Sequence, residues 1–215
     1  MPIFPLDASI DFPDPSLAEP DGLLAIGGDL SPIRLIEAYR HGIFPWFDGD
    51  VPLWWSPDPR FVLFPASLKV SDSMKAVIRK QTFTYTRDKA FSKVIASCKS
   101  IHRPGQAGTW ITEGMQKAYQ RLHEMGYALS AEAWRDGNLV GGLYGVRIGR
   151  IFFGESMFAR EANASKFAFI SLVRELQSEG VVLVDCQVHT AHLESLGAKM
   201  IPRKLYLNYL RDHLT

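Results

Sequence analysis

Residues 139–158 read LVGGLYGVRIGRIFFGESMF, two apolar arms that meet at Ile148-Gly149. Apolar residues on both sides of a glycine-bearing turn predict a β-hairpin. Gly141, Gly142, Gly145 and Gly149 crowd it. Glycine weakens a strand interior, so this density predicts bulges or a ligand lying close against the backbone. The second arm carries one carboxylate, Glu155, inside an apolar run. Such a group turns to solvent, finds partners or waits for a cationic ligand, because an unpaired buried charge is costly.

Working outward, residues 127–134 form a further strand, joined to the hairpin by Asp136-Gly137, a strong turn signal. Helical spacing begins at Asn163 or Ser165 and runs through Phe167, Phe169, Ile170, Leu172, Val173 and Leu176 to Gly180. Val181-Val182-Leu183-Val184 then reads as a fully buried strand, ending on Asp185-Cys186-Gln187. A helix over 190–196, a strand over 199–202 and a helix over 205–210 complete the chain. On the N-terminal side, Ser31 and Pro32 open a helix that stops near Gly42. Residues 61–64 and 82–86 are short strands, and Ser71 caps a helix bearing Lys75, Arg79 and Lys80. Residues 89–99 are helical, and Thr112 caps a helix through Met115, Ala118, Tyr119 and Leu122 to Gly126. Antiparallel strands set among strand–helix alternation predict an α+β chain with a mixed α/β sheet and helices on both faces.

At 215 residues, with 47% hydrophobic and 22% charged residues, the chain suits one ordinary domain, or a main domain with a small addition. No apolar run approaches the roughly 20 residues of a membrane span. The start, MPIFPLDASIDFPDP, lacks the basic and apolar parts of a secretory signal. Cys98 and Cys186 form neither a disulfide framework nor a metal-binding spacing, so a reducing, cytosolic setting is expected. The net charge of +1 hides an asymmetry: residues 1–68 carry a balance of −7 and residues 69–103 one of +7. The basic segment is either a footprint for a polyanion or a set of solvated helix faces.

Two Pro-rich aromatic segments, GIFPWF over 42–47 and LWWSPDPR over 53–60, bring Trp46, Trp54 and Trp55 within ten residues. Loops of this kind plug a small core or offer flat faces for stacking; one of the three is expected to face a ligand. Asp185 and Gln187 stand at the carboxyl end of a buried strand, where ligands collect in open sheets. In extended chain they share one side and Cys186 takes the other. With Glu155 they make two acids and an amide, suited to an amine and unsuited to a metal. The six histidines lack a nucleophile partner by motif and read as surface residues. Cys186 is a weak nucleophile candidate, because the adjacent acid raises a thiol's pKa. No dinucleotide, P-loop or nucleophile-elbow motif occurs.

The segments GLLAIGGDLS, GIFPWF, LWWSPDPR, GTWIT, VGGLYGV, FFGESMF, NASK, VDCQ, SLGA and IPR follow one another from about residue 12 to 210. In that order they resemble the bacterial leucyl/phenylalanyl-tRNA–protein transferases. The resemblance implies a small N-terminal domain, here 1–60, and an acetyltransferase-like (GNAT-like) domain, here 61–215. It implies transfer of Leu or Phe, less well Met, from aminoacyl-tRNA to the α-amine of proteins starting with Arg or Lys. The products enter N-end-rule degradation. It implies no metal and no cofactor, no membrane, a cytoplasmic location and a monomer. By motif, the catalytic pair falls on Asp185 and Gln187, and the acceptor-binding acid on Glu155. Trp46 and Trp110 frame the 3′ end of the aminoacyl-tRNA. Leu143, Phe153 and Leu172 line the donor side-chain pocket, and Lys75, Arg79 and Lys80 meet the tRNA backbone. Gln187 has no useful proton affinity and is expected to position the amine, with Asp185 orienting its amide; proton uptake by Asp185 or by water stays open.

Two other classes compete. A GNAT-like module that binds RNA or peptide without catalysis has no need of the Glu155, Asp185 and Gln187 trio. An acyl-CoA acetyltransferase needs a glycine-rich pyrophosphate loop before the long helix, and Arg160-Glu161-Ala162-Asn163-Ala164-Ser165-Lys166 has no glycine there.

Overall fold

A small four-stranded sheet holds the N-terminal part together. Its elements are β1 (Phe4–Leu6), β2 (Leu23–Gly27), α1 (Pro32–Arg40), β3 (Phe44–Pro45) and β4 (Leu53–Trp55), with strand order β1-β2-β4-β3. The computed structural model describes residues 3–101 and 111–214. These four strands are two to five residues long and two of them contain proline, so no periodic pattern announced them. The helix start was legible: the Ser31 side chain accepts from the Arg34 N–H, with Pro32 in the first turn.

The remaining elements run β5 (Arg60–Leu63), α2 (Asp72–Arg79), β6 (Thr84–Arg87), α3 (Phe91–Ser100), α4 (Glu113–Glu124), β7 (Ala128–Arg135) and β8 (Asn138–Ile148). Then come β9 (Ile151–Ala159), α5 (Ala164–Ser178), β10 (Leu183–Gln187), α6 (Ala191–Glu194), β11 (Lys199–Ile201) and α7 (Arg203–His213). Seven strands form one mixed sheet in the order β11-β5-β10-β9-β8-β7-β6. The chain is of the expected α+β class. One face is covered by α2 and α5, packed through Met74, Phe167, Phe169 and Leu176. The other carries α1, α3, α4 and α7, packed through Tyr39, Val94, Tyr119 and Tyr206. The β8–β9 turn falls at Gly149-Arg150, one residue later than the sequence suggested, and β10 extends through Gln187.

What positions the site is a parting of strands. β10 runs parallel to β9 over only three pairs, from Leu183↔Ile151 to Asp185↔Phe153, while β9 continues along β8 to Ala159. The β8–β9 ladder skips a residue where Gly145 pairs Gly154 and Tyr144 pairs Ser156, which leaves Glu155 as the extra residue of a bulge. A Cβ on Gly145 would lie 2.2 Å from the Phe153 carbonyl, so the glycine is what the bulge requires. At Gly141 a Cβ would fall 2.6 Å from that of Ala164, where α5 lands on the sheet. The glycine density therefore marks a bulge and a close helix approach; at neither position is it a ligand that crowds the backbone.

Candidate active site

The gap between β9 and β10 opens into a cavity of about 430 Å³. Leu143, Met157 and Phe169 give it an apolar wall, Glu155, Asp185 and Gln187 a polar floor, and Trp46 stands at the mouth. Trp46 keeps 41% of its surface exposed and its ring lies 5.7 Å from that of Trp55. Trp54 is fully buried, its indole N–H donating to the Gly27 carbonyl. One tryptophan of the three thus faces the cavity. Trp110 lies outside the described residues.

Glu155 is held by hydroxyls. Its Oε1 accepts from the Tyr39 hydroxyl at 2.7 Å and from Gln187 Nε2 at 2.9 Å; its Oε2 accepts from the Tyr119 hydroxyl at 2.7 Å. The two tyrosine hydroxyls also touch each other. Packed protein around the carboxyl pushes its pKa up to about 7, against the three hydrogen bonds that pull it down. Half-buried rather than sealed, Glu155 retains an opening onto the cavity. Burial and the neighbouring carboxylate keep both phenols protonated, well above their ordinary range.

Asp185 is fully buried and saturated. Arg60 Nε donates to its Oδ1 at 2.8 Å and Arg60 Nη2 to its Oδ2 at 2.6 Å. The Tyr206 hydroxyl adds 2.7 Å to Oδ2, and the Gln187 main-chain N–H adds 2.9 Å to Oδ1. The guanidinium lies between the rings of Phe44 and Tyr206, at 4.6 and 4.7 Å from their centroids. This corrects the reading of Asp185 as one of two acids open to an amine. Arg60 already balances its charge, and four hydrogen bonds occupy its two oxygens. What Asp185 orients is the main chain of Gln187, not the side-chain amide.

That main chain is strained. Gln187 adopts a φ of +63°, and the β5–β10 register slips between Asp185 and Gln187. The amide side chain thereby reaches back to Glu155. Its nitrogen is used there, so its carbonyl oxygen is left to accept. Cys186 packs in the same core cluster as Leu143 and Phe169 and borders the cavity, and burial pushes its thiol's pKa up, which leaves it a poor nucleophile.

The donor-pocket expectation needs correction at two residues. Leu143 lines the cavity, but Phe153 and Leu172 are fully buried in the two cores and do not. Phe153 packs its ring on Tyr39 at 4.9 Å, because the bulge at Glu155 comes after it. Phe169 and Met157 occupy the wall instead. Lys75, Arg79 and Lys80 lie exposed on α2 and its end, none of them on the cavity wall, and Lys75 pairs with Asp72 at 2.9 Å. His192, read as a surface residue, lines the cavity. Arg60, Tyr39 and Tyr119 were not read as site residues. Their signal was indirect: a lone Arg opening an apolar strand, and phenols on the buried faces of helices, each in need of a polar partner.

Tyr39 and Tyr119 set the acidity of Glu155, and this is testable. Tyr39→Phe or Tyr119→Phe removes a donor to the ionised form, so the carboxyl's pKa rises further, by about one unit for a lost charge-assisted bond. Carbon-13 NMR of labelled Glu155 reads the shift; an unmoved titration in both variants refutes the assignment.

A mixed sheet parted around an apolar cavity, with a near-neutral carboxylate and an amide on its floor, defines a protein that binds an apolar group and acts on a polar one beside it. Among the described residues no cluster of His, Cys, Asp or Glu could hold a metal ion, and no helix is long and apolar enough to cross a membrane. Residues 62–211 match the family model of the leucyl/phenylalanyl-tRNA protein transferases, and residues 28–58 match that family's N-terminal domain. The leucyl/phenylalanyl-tRNA–protein transferase of Syntrophus aciditrophicus (strain SB) is 57% identical over 215 residues, covering 100% of this chain and 90% of that protein. That of Syntrophobacter fumaroxidans is 54% identical over 215 residues, covering 100% of this chain and 92% of that protein. The chain belongs to the leucyl/phenylalanyl-tRNA–protein transferase family, a family of aminoacyltransferases. Among solved structures, a GCN5-related N-acetyltransferase-like protein from Streptococcus suis 89/1591 aligns at 13% identity and a TM-score of 0.40, over 78% of this chain and 63% of that one.

Proposed function

We propose that this protein transfers Leu or Phe, less well Met, from aminoacyl-tRNA to the α-amine of proteins that begin with Arg or Lys, marking them for N-end-rule degradation. It acts as a cytoplasmic monomer of two domains, 1–60 and 61–215. The observation that carries the reading is the single cavity in which Trp46, Leu143, Glu155 and Gln187 meet, in a chain of this family.

The donor's apolar side chain enters against Leu143, Met157 and Phe169, and its terminal adenosine meets Trp46 and Trp110. The ester is already activated, so the protein's main task is to hold ester and amine together. The acceptor amine adds to the ester carbonyl carbon, the bond from that carbon to the ribose oxygen breaks, and an amide forms. One proton passes from the amine to the departing oxygen, through water or Glu155. Gln187 accepts from the amine through its side-chain oxygen, and Arg60 and Asp185 act at one remove by fixing the Gln187 main chain. Ionised Glu155 supplies the negative charge that favours an N-terminal Arg or Lys.

The test is transfer of labelled Phe and Leu from charged tRNA to an Arg-starting peptide. Leu, Phe and Met transfer while Lys does not; efficient Lys transfer contradicts an apolar pocket. Replacing Lys75, Arg79 and Lys80 together by Ala raises the KM for aminoacyl-tRNA and flattens its salt dependence, because about three phosphate contacts are lost. An unchanged salt slope removes α2 from the tRNA-binding surface.

A further inference from the structure

Beyond Gln187, the cavity lining includes polar side chains that nothing in the site yet uses. Asn163 takes a left-handed φ of +71° and its side chain makes no cap, so α5 starts uncapped. The first bonds of the helix are Ala164 N–H to the Glu161 carbonyl and Phe167 N–H to the Asn163 carbonyl. Between them, the N–H groups of Ser165 and Lys166 have no acceptor within the helix. Ser165 is only 9% exposed, lines the cavity, and its hydroxyl makes no hydrogen bond among the described residues. His192 on α6 lines the same cavity, and its Nε2 is enclosed with no hydrogen-bond partner among the described residues. Burial and the charge of Lys166 hold this imidazole below its ordinary pKa, so it is neutral near pH 7 and Nε2 can carry a hydrogen to donate. The one carboxylate on the turn before α5, Glu161, is engaged by Arg135 at 2.9 Å.

The cavity lining offers a hydroxyl and an imidazole here, and beside them stand the positive end of a fifteen-residue helix and the Lys166 ammonium, whose charge is felt at His192. Such a set recognises an anion with several acceptor oxygens. We propose that Ser165, Lys166 and His192 form a phosphate subsite that takes the phosphodiester preceding the terminal nucleoside of the donor. This rests on the reading of the donor as an aminoacyl ester on a nucleic acid. With the ester over Gln187 and the base at Trp46, the 5′ side of the terminal ribose has the helix start to turn to. The subsite gives the donor a third anchor besides side chain and base, and it separates a nucleotide-borne ester from a simple one.

The experiment compares two minimal donors, phenylalanyl-adenosine and phenylalanyl-adenosine 5′-monophosphate, after transfer from Phe-tRNA to an Arg-starting peptide has been established. The wild-type protein prefers the phosphate-bearing donor about tenfold in kcat/KM, the worth of one charge-assisted contact. Lys166→Met and His192→Ala each reduce that ratio toward one. Using the ratio makes the result independent of any general loss of activity. Lys166→Arg, which keeps the charge, retains most of the preference; a merely structural role for Lys166 does not predict this rescue. A wild-type ratio near one, or a ratio that survives both substitutions, overturns the subsite and leaves the transferase reading standing. Failure to transfer from Phe-tRNA at all overturns the transferase reading, and the subsite with it.

Discussion

Arg60→Met lowers the unfolding free energy by about 3–5 kcal/mol, because it strands a fully buried carboxylate. Asp185 keeps the Tyr206 hydroxyl and the Gln187 N–H, but two neutral donors do not replace a forked guanidinium. The urea midpoint reads the loss, and transfer falls with it because the Gln187 backbone is no longer held at its strained angle. The double variant Arg60→Met/Asp185→Leu separates the two effects. Replacing a buried ion pair by apolar residues is often neutral for stability. The double variant therefore recovers most of the lost stability, short of about 1–2 kcal/mol for the Gln187 N–H that loses its acceptor. It does not recover transfer. A stable Arg60→Met protein refutes the buried pair, and an active double variant shows that Asp185 is dispensable.

The ion pair also shows where the sequence stops being readable. Local signals were strong wherever one residue suffices: Ser31, Ser71 and Thr112 cap the helices they were expected to cap. The Asp136-Gly137 turn joins β7 to β8 for the same reason, since Asp136 and Gly137 both have positive φ as a tight hairpin turn demands. The trio Glu155, Asp185 and Gln187 was legible too, as polar groups in apolar strands. Their partners were not. Arg60 lies 125 residues from Asp185, Tyr39 lies 116 from Glu155, and nothing in either neighbourhood specifies the match. A tyrosine on an apolar helix face reads as core, which Tyr39 and Tyr119 also are. The bulge at Glu155 was foreshadowed by glycine density but not placed. Its position decides that Phe153 packs on Tyr39 rather than lining the cavity.

Glu155→Gln changes stability and transfer in opposite directions as pH rises. The folded carboxyl is raised from 4.5 to about 7, so between these values the folded chain keeps a proton that the unfolded chain has released. Its contribution is fully present below about pH 4.5 and is lost as pH climbs to 7, at most about 3 kcal/mol for a shift of this size. Glutamine has no proton to lose. The stability of Glu155→Gln relative to the wild type therefore improves from pH 5 to pH 8, as thermal or urea unfolding at several pH values shows. Transfer behaves otherwise, because the ionised carboxylate is what faces the cationic acceptor and can take its proton. In the wild type, kcat/KM for an Arg-starting peptide rises with pH through about 7 as Glu155 ionises, and again toward about 8 as the acceptor α-amine loses its own proton. In Glu155→Gln the rise through about 7 disappears, the rise of the acceptor amine at about 8 remains, and the plateau falls by about 100-fold or more, the scale of a lost charged contact that also assists proton transfer. The preference for Arg over Ala at the first position collapses with it, since the tyrosine hydroxyls and the Gln187 amide that remain discriminate no charge. Should the variant keep that preference and the rise through about 7, Glu155 is a structural carboxylate tied down by Tyr39 and Tyr119. The charge that selects the acceptor must then lie elsewhere on the cavity rim.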